Sequence, residues 1–578
     1  MQKTIQRRLV ETSTQFNQPL HPMLQRIYTA RGVKHEQELQ YQLAQLLKPN
    51  FKGLPEAVSI LADAVVAQAK IIIVGDFDAD GATSSALAVL ALHAMGLQSV
   101  DFLVPNRFEY GYGLTPEIVA VAAAQQPDVI ITVDNGISSV EGVRAARELG
   151  IAVIVTDHHL PGSELPEADA IVNPNQPGCE FPSKNLAGVG VIFYVMNALR
   201  AELRQMGWFA ESGIAEPNMA SFLDLVALGT VADVVPLDHN NRILVAQGLQ
   251  RIRAGVARIG IKALLEIAGK QAHKIVASDF GFALGPRLNA AGRLDDMSLG
   301  IQCLLCESES LAREMALQMD ELNRDRKAIE AGMQQEAMSM LQKVLNADES
   351  ALPWGVCLFD ETWHQGVIGI LASRIKDKYH RPTIVFADAG DGQIKGSARS
   401  IPGFHIRDAL DAIAARHPDL LQKFGGHAMA AGMSLMRESF VAFAEAFDAE
   451  VRRQLSSHDL SALVLSDGEL QGQDFNLPFA QQLRESGPWG QHFPEPVFDG
   501  EFYLLQQKLL GEKHLKMTLA LDAQGQQLVD AIAFNVDAKL WPNRHAKKVR
   551  LAYKLDVNEF RGNKTLQLLV DYIEALAS

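Results

Sequence analysis

The sequence predicts an α/β fold with a doubly wound parallel sheet, and three observations predict it. Three short runs, Ile71-Ile72-Ile73-Val74, Val129-Ile130-Ile131-Thr132-Val133 and Ile151-Ala152-Val153-Ile154-Val155-Thr156, are almost continuously apolar and β-branched. Strands buried on both faces read this way. Helical stretches separate them, at Ser84 to Met95, Pro116 to Gln125 and Ser139 to Leu149, and strand–helix alternation implies parallel pairing. Each run also ends in acid: Asp76, Asp78 and Asp80, then Asp134, then Asp157-His158-His159.

The remaining elements follow in order. Residues 1–55 hold polar and helical stretches and form an N-terminal arm. An apolar helical run from Ala57 to Lys70 leads into the first strand and opens an α/β domain at 56–300. Residues 301–345 keep a helical period with many charges and no Pro, and only Gly332 interrupts them. A long connecting helix is therefore expected over 301–350. A second α/β lobe is expected at 351–460, with turns at Lys395-Gly396-Ser397 and Gly425-Gly426-His427. From 461 to 578 the runs Leu515 to Leu521, Leu528 to Phe534 and Val549 to Leu555 alternate with turns carrying Asp522, Asn535, Gly562 and Asn563. That pattern predicts a small β-barrel.

Composition bounds the function classes. The chain has 578 residues, 48% hydrophobic and 21% charged, a globular composition of about three to five domains. No stretch is long and apolar enough to span a bilayer, and Met1 to Arg8 lack the apolar core of a signal peptide, so a cytoplasmic protein is expected. Four cysteines argue against a disulfide framework. Cys303-Leu304-Leu305-Cys306 has no second pair and reads as helix interior. With 53 Lys+Arg against 68 Asp+Glu the formal net charge is −15, which taken alone disfavours a nucleic-acid ligand. Net charge does not locate the acids, however.

The carboxyl ends of parallel strands line the ligand crevice of an open α/β sheet. Unpaired carboxylates gathered there raise one another's pKa values, and divalent cations remove the conflict. Mixed Asp and His ligands without Cys suit Mn²⁺ or Mg²⁺ better than a structural zinc. A single strand-end Asp usually caps a turn or helix. Acids on three consecutive strands, with two histidines, point instead to a two-metal hydrolytic site. In Ala227-Leu228-Gly229-Thr230-Val231-Ala232-Asp233 an acid enters an apolar stretch, where it needs a partner such as a metal. Asp224 is a weaker candidate and reads equally as a helix-face residue.

Asp76-Phe77-Asp78-Ala79-Asp80-Gly81, Val133-Asp134-Asn135-Gly136, Asp157-His158-His159 and Gly229-Thr230-Val231-Ala232-Asp233 resemble the four ordered motifs of the DHH phosphoesterase superfamily. Trp363 to Gly369, Lys395 to Ser400 and Gly425 to Gly432 resemble its accessory DHHA1 domain. With Gly285 to Arg293 and the terminal barrel, which resembles an OB-fold, the pattern is similar to the bacterial single-strand-specific 5′→3′ exonuclease branch. The resemblance covers nearly the whole chain. It implies two cations, Mn²⁺ or Mg²⁺, held by Asp76, Asp78, Asp80, Asp134, His158 and Asp233, with Asp134 bridging. It implies that His159 contacts the scissile phosphate or assists protonation. One departure is Val74, where many relatives carry His.

Arg107 and Tyr112, in a Gly-punctuated loop, offer a phosphate fork and a stacking ring, and the resemblance places this loop beside the catalytic cleft. Ser397, Arg399, Ser400 and His427 are expected to bind the terminal 5′ nucleotide and phosphate. Arg287 and Asn289, with Arg293, divide between substrate contact and packing between lobes. Residues 501–578 carry 11 Lys+Arg against 9 Asp+Glu, a net +2 in an acidic chain. Phe502, Tyr503, His514, Phe534 and Phe560 could stack bases there, although barrel aromatics are more often core. The expected activity is single-stranded-DNA degradation by a monomer in repair and recombination. Its expected partners are a single-strand DNA-binding protein and a helicase. Two alternatives are a DHH phosphodiesterase of very short oligonucleotides or cyclic dinucleotides, which needs no OB-like groove, and an inactivated scaffold that has lost ligands.

Overall fold

The computed structural model describes residues 3–10, 16, 20–106, 110, 112–347, 352–511, 513–537, 540–560 and 562–576. Arg107, with Phe108, Glu109 and Gly111, lies outside the described residues, as does the side chain of Phe560. The chain divides into two compact units, one of Arg8–Asn323 with Asp467–Ser578, the other of Met1–Arg7 with Arg324–Ser466.

The first unit is built on a five-stranded, all-parallel sheet in the order Val100–Leu103, Ile71–Val74, Val129–Val133, Ala152–Thr156, Ala170–Val172. The three predicted strands are its centre. Both neighbours are short, and Val100–Leu103 is half-exposed, which is why its pattern is not that of a buried strand. Ile71, Ile73, Ile131 and Ile154 enter one apolar cluster, whereas Ile72, Val74, Ile130, Val153 and Val155 enter another. This period of two covers both faces of the sheet, and burial of each such side chain contributes about 1.5–3 kcal/mol. Val74 pairs with Thr132 and Val133 with Thr156. The register therefore brings residues 76, 134 and 157 out at one end of the sheet.

The first crossover helix, Ala79–Ala94, begins five residues before the expected Ser84, because the Asp78 side chain caps it. The expected continuous connecting helix is two. Ser298–Leu305 stops at Cys306, which is extended, and Glu309–Ala347 starts after it. Ser308 takes the first bond of the second helix, from Ala312 N–H at 3.0 Å. Cys303 is buried in the first helix and Cys306 ends it.

A closed barrel of Phe498–Leu510, His514–Ala520, Leu528–Ala533, Asn563–Leu576 and Lys548–Phe560 completes the unit. Phe498, Phe502, Val549 and Tyr553 belong to the same apolar cluster as Leu24, Ile73 and Phe280, so barrel and parallel sheet share a core. Phe502 is therefore a packing residue. Phe534 is exposed and sits edge-on to His514, ring centroids 5.2 Å apart.

The second unit carries a mixed sheet in the order Lys423–Gly426, Ala430–Met436, Gln393–Arg399, Thr383–Gly390, Val356–Phe359. The N-terminal arm opens on a strand, Thr4–Arg7, which pairs in parallel with Leu463–Ser466. Among the described residues no helix is long and apolar enough to cross a membrane.

Candidate metal centre

Four chain segments meet at the carboxyl end of the parallel sheet. Asp76 and Asp78 occupy the turn after Val74. Asp78 accepts hydrogen bonds from the backbone N–H of Asp80 (2.9 Å) and Gly81 (3.0 Å), which starts the helix carrying Asp80. The Asp80 carboxylate lies at the N-terminus of the helix Gly188–Gln205 and accepts from Gly188 N–H at 2.6 Å and Val189 N–H at 2.9 Å. A helix N-terminus favours an anion at this place. Asp134 has φ +63°, in the left-handed region that few non-glycine residues adopt. A Cβ on Gly188 would stand 2.6 Å from the Asp134 Cβ, so only glycine permits this approach. Asp233 is the C-terminal cap of the helix Leu223–Ala232.

His158 stands at the centre. Its Nε2 lies 3.1 Å from Asp134 Oδ1, 3.5 Å from Asp233 Oδ2 and 3.9 Å from Asp80 Oδ2. Three sets of potential ligands result, each with its ligand atoms within 4.8 Å of one another: Asp76, Asp78 and Asp134; Asp80, His158 and Asp233; and Asp134, His158 and His159. Asp134 and His158 are each shared between two sets.

The electrostatics of this cluster favour a cation. Burial, then the charge of Asp78, pushes the Asp80 carboxyl up to about 7. Burial, then Asp80 and its neighbours, holds Asp134 and Asp233 well above the usual carboxylate range. Asp134 Oδ1 is buried and accepts no hydrogen bond among the described residues, although His158 Nε2 stands 3.1 Å away. A buried acceptor left unbonded, among acids that destabilise one another, fits a hard divalent ion. Five carboxylates and one imidazole, without Cys, are the donors Mn²⁺ and Mg²⁺ take. Val74 supplies no ligand, being fully buried in the apolar cluster beneath.

Asp157 has another task. The sequence groups it with the other strand-end acids, but it enters none of the three sets. Its Oδ1 accepts from His158 N–H (2.7 Å), His159 N–H (3.1 Å) and His159 Nδ1 (2.8 Å), and its Oδ2 accepts from Ile137 N–H (3.0 Å). Burial opposes its charge, yet these bonds and the two histidines hold it down to about 2. Burial likewise opposes a charged His159, and the Asp157 hydrogen bond overrides it, raising the imidazole to about 9. His159 is thus a fixed cation beside the acid cluster. The Tyr112 hydroxyl lies 3.3 Å from His159 Nδ1 and 3.3 Å from the Asp134 carbonyl.

The DHH family N-terminal domain matches residues 70–230, the DHHA1 domain 351–453 and the RecJ OB domain 466–572. The single-stranded-DNA-specific exonuclease RecJ of Dickeya dadantii is 57% identical over 568 residues, 98% of each chain. The chain belongs to the RecJ family. The crystal structure of RecJ from Thermus thermophilus in complex with Mn²⁺ superimposes with a TM-score of 0.78 at 30% identity, over 97% of this chain and 76% of that one. The Mg²⁺ complex of the same organism's RecJ gives 0.72 at 27% identity, over 97% and 75%. Both ions named for those relatives are ones the donor set here suits.

Within this RecJ-family fold the other expected substrate residues divide. The Arg287 guanidinium is engaged by Asp320, at 3.0 Å from Nε and 2.8 Å from Nη2. Asn289 Oδ1 accepts from Ala79 N–H at 2.7 Å, bracing the loop that carries Asp76 and Asp78. A Cβ on Gly292, one turn further, would stand 1.8 Å from the Phe77 carbonyl, so this helix lies directly on that loop. Asp224 is buried against Arg258 at 3.4 Å and is a packing acid. In the second unit Ser397 and Arg399 are on one strand, with Arg399 Nη1 donating to Ser397 Oγ at 3.2 Å. Ser397 is paired in register with Gly432 and Arg399 with Ala430. Ser400 is buried and donates to the Phe404 carbonyl at 2.6 Å, a turn-forming role. His427 N–H closes the adjacent hairpin on Ala430 O at 2.8 Å. The Gly188 and Val189 amides went unread in the sequence; the signal was small residues (Ala187-Gly188-Val189-Gly190) opening an apolar helix.

Proposed function

We propose that the protein is a metal-dependent exonuclease that degrades single-stranded DNA in the 5′→3′ direction by two-metal phosphodiester hydrolysis. One observation carries this reading: Asp80, Asp134 and Asp233 gather around His158 Nε2 at 3.9, 3.1 and 3.5 Å, and their mutual repulsion outweighs the nearby charge of His159, in a chain of the RecJ family. Asp76, Asp78 and Asp134 would hold one ion and Asp80, His158 and Asp233 the other, with Asp134 beside both. When bound, the ions supply positive charge to the attacking and leaving oxygens of an in-line displacement.

The chain's own groups orient the substrate. His159, held protonated by Asp157, directs positive charge and a proton at the non-bridging oxygens of the scissile phosphate, where charge accumulates. Tyr112 fixes the His159 ring. Ser397, Arg399 and His427 bind the 5′-terminal nucleotide and phosphate, and Arg107 joins them on its motif alone. Asn289 braces the metal-ligand loop, and Arg287 holds the same helix against Asp320. The barrel takes the trailing strand by stacking and backbone charge. The protein acts as a monomer in DNA repair and recombination, where a helicase and a single-strand DNA-binding protein supply the strand.

A long single strand labelled at its 5′ end tests this, incubated with and without Mn²⁺ beside the matching duplex. Early release of labelled mononucleotide from the single strand, only with the ion, is expected. Cleavage confined to dinucleotides, or label released last, would overturn the reading.

A further inference from the structure

The segment after the edge strand Ala170–Val172 runs alongside the Asp157-His158-His159 turn and bonds to it at three successive places. Asp157 N–H donates to the Val172 carbonyl at 3.2 Å. Asn173 Nδ2 donates to the His159 carbonyl at 2.9 Å, and Asn175 Nδ2 donates to the His158 carbonyl at 2.6 Å. Asn173 is fully buried, and its Oδ1 accepts from Asn175 N–H at 2.7 Å, which fixes the turn that presents both amides. From the far side Lys184 Nζ donates to the Pro174 carbonyl at 2.6 Å and to the Cys179 carbonyl at 2.9 Å, bracing the residue between the two asparagines.

We propose that Asn173 and Asn175 are positioning residues with separate duties. Asn175 sets the place of His158 among Asp80, Asp134 and Asp233, and Asn173 sets the place of His159. The inference rests on the metal-centre reading and extends it to groups outside the proposed ligand set. The carbonyl of a turn residue moves with its Cα and side chain. An amide donor on each carbonyl therefore limits the movement of each imidazole independently of Asp157, which holds the same turn by its N–H groups and the His159 ring. Outer groups of this kind govern metal affinity when they act on a ligand. They govern the reacting geometry when they act on a group that faces the substrate. His158 belongs to the first case and His159 to the second.

The two duties predict opposite signatures, read on the full chain with Mn²⁺ alone as the binding probe. Asn175→Leu removes the donor to His158. In calorimetric titration of the metal-stripped protein it should weaken Mn²⁺ binding about 10–100-fold, with hydrolysis recovering as Mn²⁺ is raised. Asn173→Ser keeps an oxygen for Asn175 N–H but is too short to reach the His159 carbonyl. It should leave Mn²⁺ affinity as in the wild type and lower kcat at saturating Mn²⁺ with KM unchanged. A purely structural role would move both variants alike, in affinity and in thermal unfolding, and that outcome would overturn the proposal. So would an Asn175→Leu protein that binds Mn²⁺ as tightly as the wild type. Should Asn175→Leu not fold, Asn175→Ala carries the same expectation. A wild-type chain that fails to bind Mn²⁺ would instead sink the metal-centre reading itself, so the two failures are distinguishable.

Discussion

Two groups of buried acids in the same compact unit are treated in opposite ways. Asp467 is almost fully buried and meets Arg31 in a bidentate pair at 2.5 and 2.8 Å, with Arg8 Nε at 3.6 Å and Val497 N–H at 3.0 Å. Asp80, Asp134 and Asp233 are gathered instead around one histidine, and the largest charges acting on them are those of neighbouring carboxylates, Asp78 among them. The first arrangement is complete within the protein. The second is complete only when charge arrives from outside. A buried carboxylate with its own arginine reads as architecture, whereas buried carboxylates that face each other read as a binding site.

Removing one acid from each group should therefore have opposite consequences. Asp134→Asn keeps a residue that tolerates φ +63° while deleting a repelling charge. Hydrolysis should fall by about 10³-fold or more, the scale of losing a principal charge-stabilising group. The metal-free protein should unfold at a higher temperature than the wild type. A metal-free variant that melts lower would break the comparison. Asp467→Ala leaves Arg31, whose side chain is 1% exposed, without its carboxylate. Loss of about 3 kcal/mol in denaturant unfolding is expected, with the Mn²⁺ dependence of hydrolysis unaltered.

The metal itself gives the next largest effect. A ligand that binds only the folded state stabilises by about 2.7 kcal/mol at 100 times its Kd. Mn²⁺ should raise the unfolding temperature of the wild type and of Asp467→Ala alike, and chelation should reverse it. Asp134→Asn should show little of that shift in differential scanning calorimetry.

The contrast between the two groups was half legible in the sequence. Asp76, Asp134 and His158 could be read because they terminate apolar β-branched runs, and a parallel register sends such ends to one place. Asp157 carries the same local signal, yet its oxygens turn back onto its own neighbours and Ile137, a choice made by turn geometry and not by residue type. Asn173 and Asn175 had no signal, since an Asn-Pro-Asn turn after a three-residue edge strand looks like any loop. The early start of the Ala79–Ala94 helix was hidden by Asp78, Asp80 and Gly81, residues that ordinarily end helices rather than fill them. The merger of the barrel core with the parallel-sheet core, and the packing of the N-terminal arm on the segment before the barrel, as in Tyr28 with Trp489 at 6.0 Å between ring centroids, join residues so far apart in the chain that no periodicity is left to read.

The second unit offers a milder version of the complete arrangement, and pH sharpens it. Glu450 is buried and accepts from Arg453 at 2.7 and 2.9 Å, from Gln454 at 2.5 Å and from Arg416 at 2.6 Å. The Arg453 hydrogen bonds lead in holding its carboxyl down to about 2, against the opposing effect of burial. A carboxyl whose folded pKa lies below its unfolded value binds fewer protons when folded. Its contribution is present in full above the ordinary value of 4.5 and is lost as pH falls toward 2. Glu450→Gln should therefore flatten the acid limb of unfolding between those values and leave neutral-pH Mn²⁺ binding untouched. An acid limb as steep in Glu450→Gln as in the wild type would place the stabilising charge elsewhere in that unit. A change in Mn²⁺ binding would show that the two kinds of buried acid are not independent.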